Sequence, residues 1–179
     1  MRYYFDTEFR EEPCTIDLIS IGIVCEDDRE FYAISNEYDF DKAYEDKWIL
    51  DNVIIPMYSE TAGKSISDKD DLYKQYILHG KSRKKIKDGI DRFIGKYDDP
   101  EFYAYYCNYD WVVFRWLFGR MIDLPSGYPQ CCNDLNILMN NLGLDRKWKS
   151  INCPDPENEH NALADARWNK KLYDKIISI

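Results

Sequence analysis

Arg2-Tyr3-Tyr4-Phe5-Asp6-Thr7-Glu8-Phe9 sets two carboxylates two positions apart in a segment that otherwise reads as sheet interior. Side chains alternate along a strand, so Asp6 and Glu8 leave the same face with Cα atoms roughly 6.5 to 7 Å apart. Two acids so close repel unless a cation sits between them, and a hard divalent ion such as Mg²⁺ suits carboxylate oxygens. A bare D-x-E also fits a solvated strand end. The flanking Tyr3, Tyr4, Phe5 and Phe9 argue against exposure, and buried acids need partners.

Beyond that strand, Thr15 to Val24 contains Leu18-Ile19-Ser20-Ile21-Gly22-Ile23-Val24, apolar on both faces, which predicts a central strand. Glu26-Asp27-Asp28-Arg29 is a polar turn, and Glu30 to Ser35 is a third strand, so an antiparallel meander opens the fold. The pattern is helical from Asp41 until Pro56 interrupts it, and Tyr58 to Gly80 is polar and irregular. Ser82 caps a helix carrying Ile86, Ile90, Phe93 and Ile94, with Gly95 at its stop. A strand over Glu101 to Cys107 runs into a helix from Tyr109 to Phe118, ending at Gly119. Further helices are expected from Asn133 to Gly143 and, after the loop with Pro154 and Pro156, from about His160 to Ile177. Three strands followed by helices alternating with strands imply an α/β sandwich with a mixed sheet.

The chain's 179 residues suit one domain, and 45% apolar with 16% aromatic residues excludes disorder. No run reaches membrane-spanning length, and a carboxylate interrupts the N-terminus before a signal peptide could form, so a cytoplasmic protein is expected. Its six cysteines show no C-x-x-C spacing, which argues for free thiols and against structural zinc. The net charge of −9 opposes simple phosphate binding and would equally suit an acidic interaction protein.

Asp110 falls at a strand-to-helix junction, where open α/β sheets place ligands, although an acid there can also cap its helix. In the last helix Asp165 shares a stripe with Trp168, Leu172 and Ile176, so a charged group occupies the inward face. That placement is costly without a cation. His160, at the helix start, can overhang the same place, while a lone histidine is elsewhere an ordinary surface or capping residue.

Taken together, D-x-E, then D, then H-x-x-x-x-D, in the segments Tyr-Phe-Asp-Thr-Glu-Phe, Tyr-Asp-Trp-Val-Val-Phe and His-Asn-Ala-Leu-Ala-Asp-Ala-Arg, span nearly the whole chain. In this the sequence resembles the DEDDh 3′→5′ exonucleases of the RNase H-like fold, and within them the short stand-alone exoribonucleases of bacteria and their phages. It departs from many members in following Glu8 with Phe-Arg-Glu-Glu instead of Thr-Gly, and in lacking a His-Asn pair upstream of Asp110.

The resemblance implies a three-layer sandwich over residues 1–179, with a mixed five-stranded sheet, its first three strands antiparallel and helices on both faces. It implies two Mg²⁺ ions, replaceable by Mn²⁺, held by Asp6, Glu8, Asp110 and Asp165, with His160 as general base. RNA 3′ ends would be shortened to nucleoside 5′-monophosphates, and a homodimer is implied. Metal ions reverse the local sign of the field, which answers the objection from net charge. Thr7, Phe9 and Tyr109 beside the ligands are candidate substrate contacts, the aromatics by stacking on a base. Lys81, Arg83, Lys84, Lys85 and Lys87 form a basic cluster that fits either an RNA backbone or a solvated helix face. Single-stranded DNA as substrate, or a silent binding module on the same fold, are the alternatives.

Overall fold

The computed structural model describes residues 1–95, 99–156 and 159–179. Strands β1 (Arg2–Glu12), β2 (Thr15–Cys25) and β3 (Glu30–Ile34) form the antiparallel meander, and β4 (Glu101–Ala104) and β5 (Asn133–Asp134) extend it in parallel, in the order β3-β2-β1-β4-β5. This is the mixed five-stranded sheet expected, consistent with an RNase H-like sandwich.

Alternation along β1 decides what lies on each face. Tyr3 and Phe5 pack with Ile21, Ile23 and Phe102 against α5 (Arg83–Ile94) and α6 (Asn108–Trp116). Tyr4 points the other way, into Leu172, Tyr173 and Ile176 of α9 (Ala162–Ile177) and Leu135 and Met139 of α7 (Leu135–Asn141). Asp6 and Glu8 have Tyr4's parity and so turn toward α9.

Two expectations about the chain's middle are corrected. Pro56 does not end the helical run: α2 (Lys47–Ile49) passes through a π-helical stretch (Leu50–Ile54) into α3 (Ile55–Ala62), where Pro56 sits in the first turn. The wider π turn just upstream, in which the Ile55 N–H reaches back to the Leu50 carbonyl, lets the helical path continue past a residue that has no N–H to give. Nor is the stretch from Tyr58 to Gly80 irregular, because α3 closes on Gly63 at φ 65° and α4 (Lys69–His79) follows, capped by the Asp68 side chain. With α1 (Phe40–Glu45) these helices bury Tyr38, Val53, Tyr58 and Leu72 in a cluster that also contains Ile19 of β2 and Ile34 of β3.

Several boundaries also move. The last helix starts at Ala162, with Asn161 as its cap and His160 outside it. Asn133 and Asp134, expected at a helix start, form the fifth strand, and Asp134 then caps α7. A short helix α8 (Arg146–Asn152) was not anticipated. Cys14, Cys25, Cys131 and Cys153 are free thiols as expected, but Cys107 and Cys132 are joined in a disulfide, because the parallel β4–β5 pairing brings together segments 25 residues apart. No helix among the described residues is long and apolar enough to cross a membrane.

The first turn of α9 rests directly on the sheet at Gly22, which pairs with Asp6 across the β1–β2 ladder. A Cβ at Gly22 would lie 2.3 Å from the Ala162 carbonyl oxygen and 2.5 Å from Leu163 Cα, both backbone atoms. Gly22→Ala must therefore push α9 off the sheet. We expect it to cost about 3 kcal/mol or more, read as a fall in thermal midpoint of about 6 to 12 °C. An unchanged midpoint would show that the contact yields without cost.

Candidate functional site

The parallel pairing of β1 with β4 ends at Tyr4↔Tyr103, whereas β1 continues beside β2 as far as Glu12. From Asp6 onward one edge of β1 therefore has no β4 residue beside it, and the chain after β4 turns into α6. The Thr7 N–H on this stretch of β1 donates to Asp110 Oδ1 at 3.0 Å, and the Thr7 hydroxyl donates to the same oxygen at 2.6 Å. Asp110 thus does for the sheet edge what a strand would have done. A bulge between Glu8 and Phe9 shifts the β1–β2 register at the same place. Such irregularities re-aim side chains beside active sites.

The arrangement opens a cavity of about 1070 Å³. Asp6, Glu8, Asp110, Asp165 and His160 all line it, so every carboxylate singled out from sequence, and the histidine, meets at one place. Carboxylate oxygens of Asp6, Glu8 and Asp165 lie within 4.8 Å of one another. Asp110, tied to Thr7, lies outside that trio but close enough to act on Asp6.

The electrostatics are those of carboxylates crowded together and partly withdrawn from water. Burial, then Asp110, Glu8 and Asp165 in turn, raise the Asp6 carboxyl well above the usual range. Glu8 is pushed up to about 8 by burial and by Asp165 and Asp110. Burial raises Asp165 to about 6 against backbone N–H groups of His160 and Asn161 that favour its charge. Asp110 is raised by burial too, with the two Thr7 hydrogen bonds opposing. Oxygen donors this close, each destabilised as an anion by the others, suit a hard divalent cation.

His160 sits at φ 66°, one residue before the Asn161 cap, and this left-handed conformation carries the ring off the helix path. The ring packs edge-on against Trp48 of α2, with centroids 4.8 Å apart. Asn161 accepts from Leu163 and Ala164 N–H and donates through Nδ2 to Glu60 of α3 at 2.8 Å, tying the start of α9 to the helical layer.

The candidate substrate contacts divide. Phe9 lines the cavity, and Tyr109 stacks on it at 6.0 Å but faces a neighbouring groove. Thr7 is engaged by Asp110. The basic cluster is mostly neutralised: Arg83 pairs with Asp17 and Glu37, Lys84 with Asp88 and Lys87 with Asp91, and none of these cations lines the cavity. Sequence reasoning missed Trp48, Tyr106 and Arg146, which do line it. No motif spacing marks them: Trp48 comes from α2, inside the stretch expected to be helical but with nothing to say where it would dock, and Arg146 comes from the unforeseen α8.

Comparison with known proteins adds a family. A family model described as the 3′-5′ exoribonuclease Rv2179c-like domain matches residues 1–177. The 3′-5′ exoribonuclease Rv2179c of Mycobacterium tuberculosis strain ATCC 25618 / H37Rv is 35% identical over 180 residues, covering 99% of this chain and 94% of that protein. The 3′-5′ exoribonuclease MT2234.1 of strain CDC 1551 / Oshkosh matches with the same identity and coverage.

Proposed function

Since the chain belongs to the Rv2179c-like 3′-5′ exoribonuclease domain family, we propose that it shortens RNA from the 3′ end by metal-dependent hydrolysis, in the DEDDh manner, releasing nucleoside 5′-monophosphates in the cytoplasm. The observation that carries this reading is the trio of Asp6, Glu8 and Asp165, whose oxygens converge within 4.8 Å on the wall of a large cavity. Asp6, Glu8, Asp110 and Asp165 would hold two Mg²⁺ ions, or Mn²⁺ in their place. Such ions, when bound, activate water and stabilise the charge that develops on the leaving oxygen.

The chain's own groups supply the remainder. His160, displaced from the helix and steadied by Trp48, takes a proton from the attacking water at an imidazole nitrogen, the role for which histidine is most often used. Thr7 fixes the Asp110 carboxylate so that it presents its remaining lone pairs to the cavity. Phe9, backed by Tyr109, offers a flat face on which the terminal base stacks irrespective of sequence. Family resemblance also supports a homodimer, which light scattering of the purified protein would test.

Incubating 3′- and 5′-labelled RNA with Mg²⁺ tests the reaction directly. Stepwise shortening of the 5′-labelled strand, with immediate release of the 3′ label as mononucleotide, is the expected result, and matched DNA should be cut more slowly. Internal cleavage products would instead make the protein an endonuclease, and equal rates on DNA would remove the preference for RNA.

A further inference from the structure

The cavity's charge balance singles out one side chain. Among the described residues lining it, two permanent cations, Arg146 and Lys149, stand against eight carboxylates. Lys149 is already committed: its ammonium pairs with Asp155 and lies over the rings of Tyr105 and Trp168, at 5.1 and 4.8 Å. Arg146 is exposed and forms no ion pair among the described residues. Its polar partner is the Tyr106 hydroxyl, which accepts from a guanidinium nitrogen at 3.3 Å. A guanidinium has five donors, so most of this one remains available.

Tyr106 is itself unusual. It adopts φ 56° in a turn in which Asn108 N–H donates back to its carbonyl at 2.8 Å, immediately before the helix that carries Asp110. A non-glycine residue in that region costs about 1 kcal/mol or more, and no glycine has been placed there to avoid it. The turn delivers the hydroxyl to Arg146, and the Tyr105 ring stands 4.4 Å from that of Tyr106. Arg146 also stays clear of the carboxylate cradle: a guanidinium within reach of Asp6, Glu8 or Asp165 would pair with it, and this one does not. It shares the cavity but not the place of hydrolysis.

We propose that Arg146, oriented by the Tyr106 hydroxyl, is a second anion subsite that grips a non-scissile phosphodiester of the RNA, upstream of the bond being cut. The proposal rests on the exoribonuclease reading above and adds to it a preference for oligonucleotide length. Planar bidentate recognition of phosphate is what a guanidinium does best. In a cavity this acidic, a single unpaired one is a specific receptor for the strand and not a general attraction.

The test compares a dinucleotide with a free 5′-hydroxyl, whose one phosphodiester is the scissile one, with a pentanucleotide, in Mg²⁺. For Arg146→Ala the pentanucleotide KM should rise about 10- to 100-fold with kcat within about threefold of wild type, while the dinucleotide KM stays unchanged. The salt dependence of the pentanucleotide KM should become shallower by about 0.7 in log–log slope. Arg146→Lys, keeping charge but losing the fork, and Tyr106→Phe, losing the orienting hydroxyl, should fall between. Arg146 is exposed, so its variants should melt as wild type does. An unchanged pentanucleotide KM overturns the proposal, and so does an equal loss on both substrates, which would place Arg146 on the terminal nucleotide. Wild-type protein that cleaves neither oligonucleotide would overturn the exoribonuclease reading and this inference with it.

Discussion

Asp6→Asn is expected to reduce RNA hydrolysis by about a thousandfold or more while making the metal-free protein more stable at pH 8. The two effects have one cause. Asp6 feels Asp110, Glu8 and Asp165 together, so its charge is the most useful for holding cations and the most costly without them. Folded-state values of these acids lie above their unfolded values, with Asp165 at about 6 and Glu8 at about 8. The folded protein therefore binds more protons than the unfolded chain between about pH 4 and pH 8, and stability falls as pH rises through that window. In EDTA the wild-type thermal midpoint should drop between pH 5.5 and pH 8. Asp6→Asn removes one charge from the cluster, so its curve should be flatter and lie about 5 °C or more above wild type at pH 8. Adding Mn²⁺ at pH 8 should raise the wild-type midpoint by several degrees and leave the variant almost unmoved. If the variant melts below wild type in EDTA, the cluster is not under electrostatic strain; if Mn²⁺ stabilises both equally, Asp6 is not a ligand.

That Asp6, Glu8, Asp110, Asp165 and His160 share one cavity could be anticipated because Asp6, Glu8 and Asp165 were each marked by a conflict visible in one dimension, while Asp110 and His160 followed from the order of the three segments and the resemblance it carries. Asp6 and Glu8 are acids in a strand of aromatic residues, and Asp165 is an acid on the apolar stripe of Trp168, Leu172 and Ile176, all three of them buried. The opening meander was legible for a similar reason, since β2 is apolar on both faces and only a central strand uses such a run. What could not be read lacks that kind of contradiction. α4 buries only Leu72 and Tyr76 and exposes Tyr73, Ile77 and Leu78, so its sequence shows no clean amphipathic stripe. The two residues of β5 are too few for a period, and Asp134 within them carries a helix-capping signal that outweighs the strand. Trp48, Tyr106 and Arg146 reach the cavity through a helical layer packed on the sheet edge, a positive φ and a seven-residue helix. None of these leaves a local pattern, because each is decided by tertiary placement.

His160→Asn should lower kcat by about 10²- to 10⁴-fold without weakening metal binding, the loss typical of removing a positioned general base. Asparagine is the informative replacement because, after glycine, it best tolerates the left-handed conformation held here at φ 66°. It also preserves the approach to the Asn161 cap, whereas alanine would add backbone strain to the loss of the base. The carboxylate trio does not include His160, so Mn²⁺ should stabilise this variant as much as wild type. That separates it from Asp6→Asn, which should lose activity and cation response together. Its KM should change little, because the proton transfer assigned to the imidazole belongs to the transition state and not to binding of the strand. Near-normal turnover would remove His160 as the base. A low kcat accompanied by a lost Mn²⁺ response would show instead that the ring supports the carboxylate cradle, through the backbone N–H groups of His160 and Asn161 that favour the Asp165 charge.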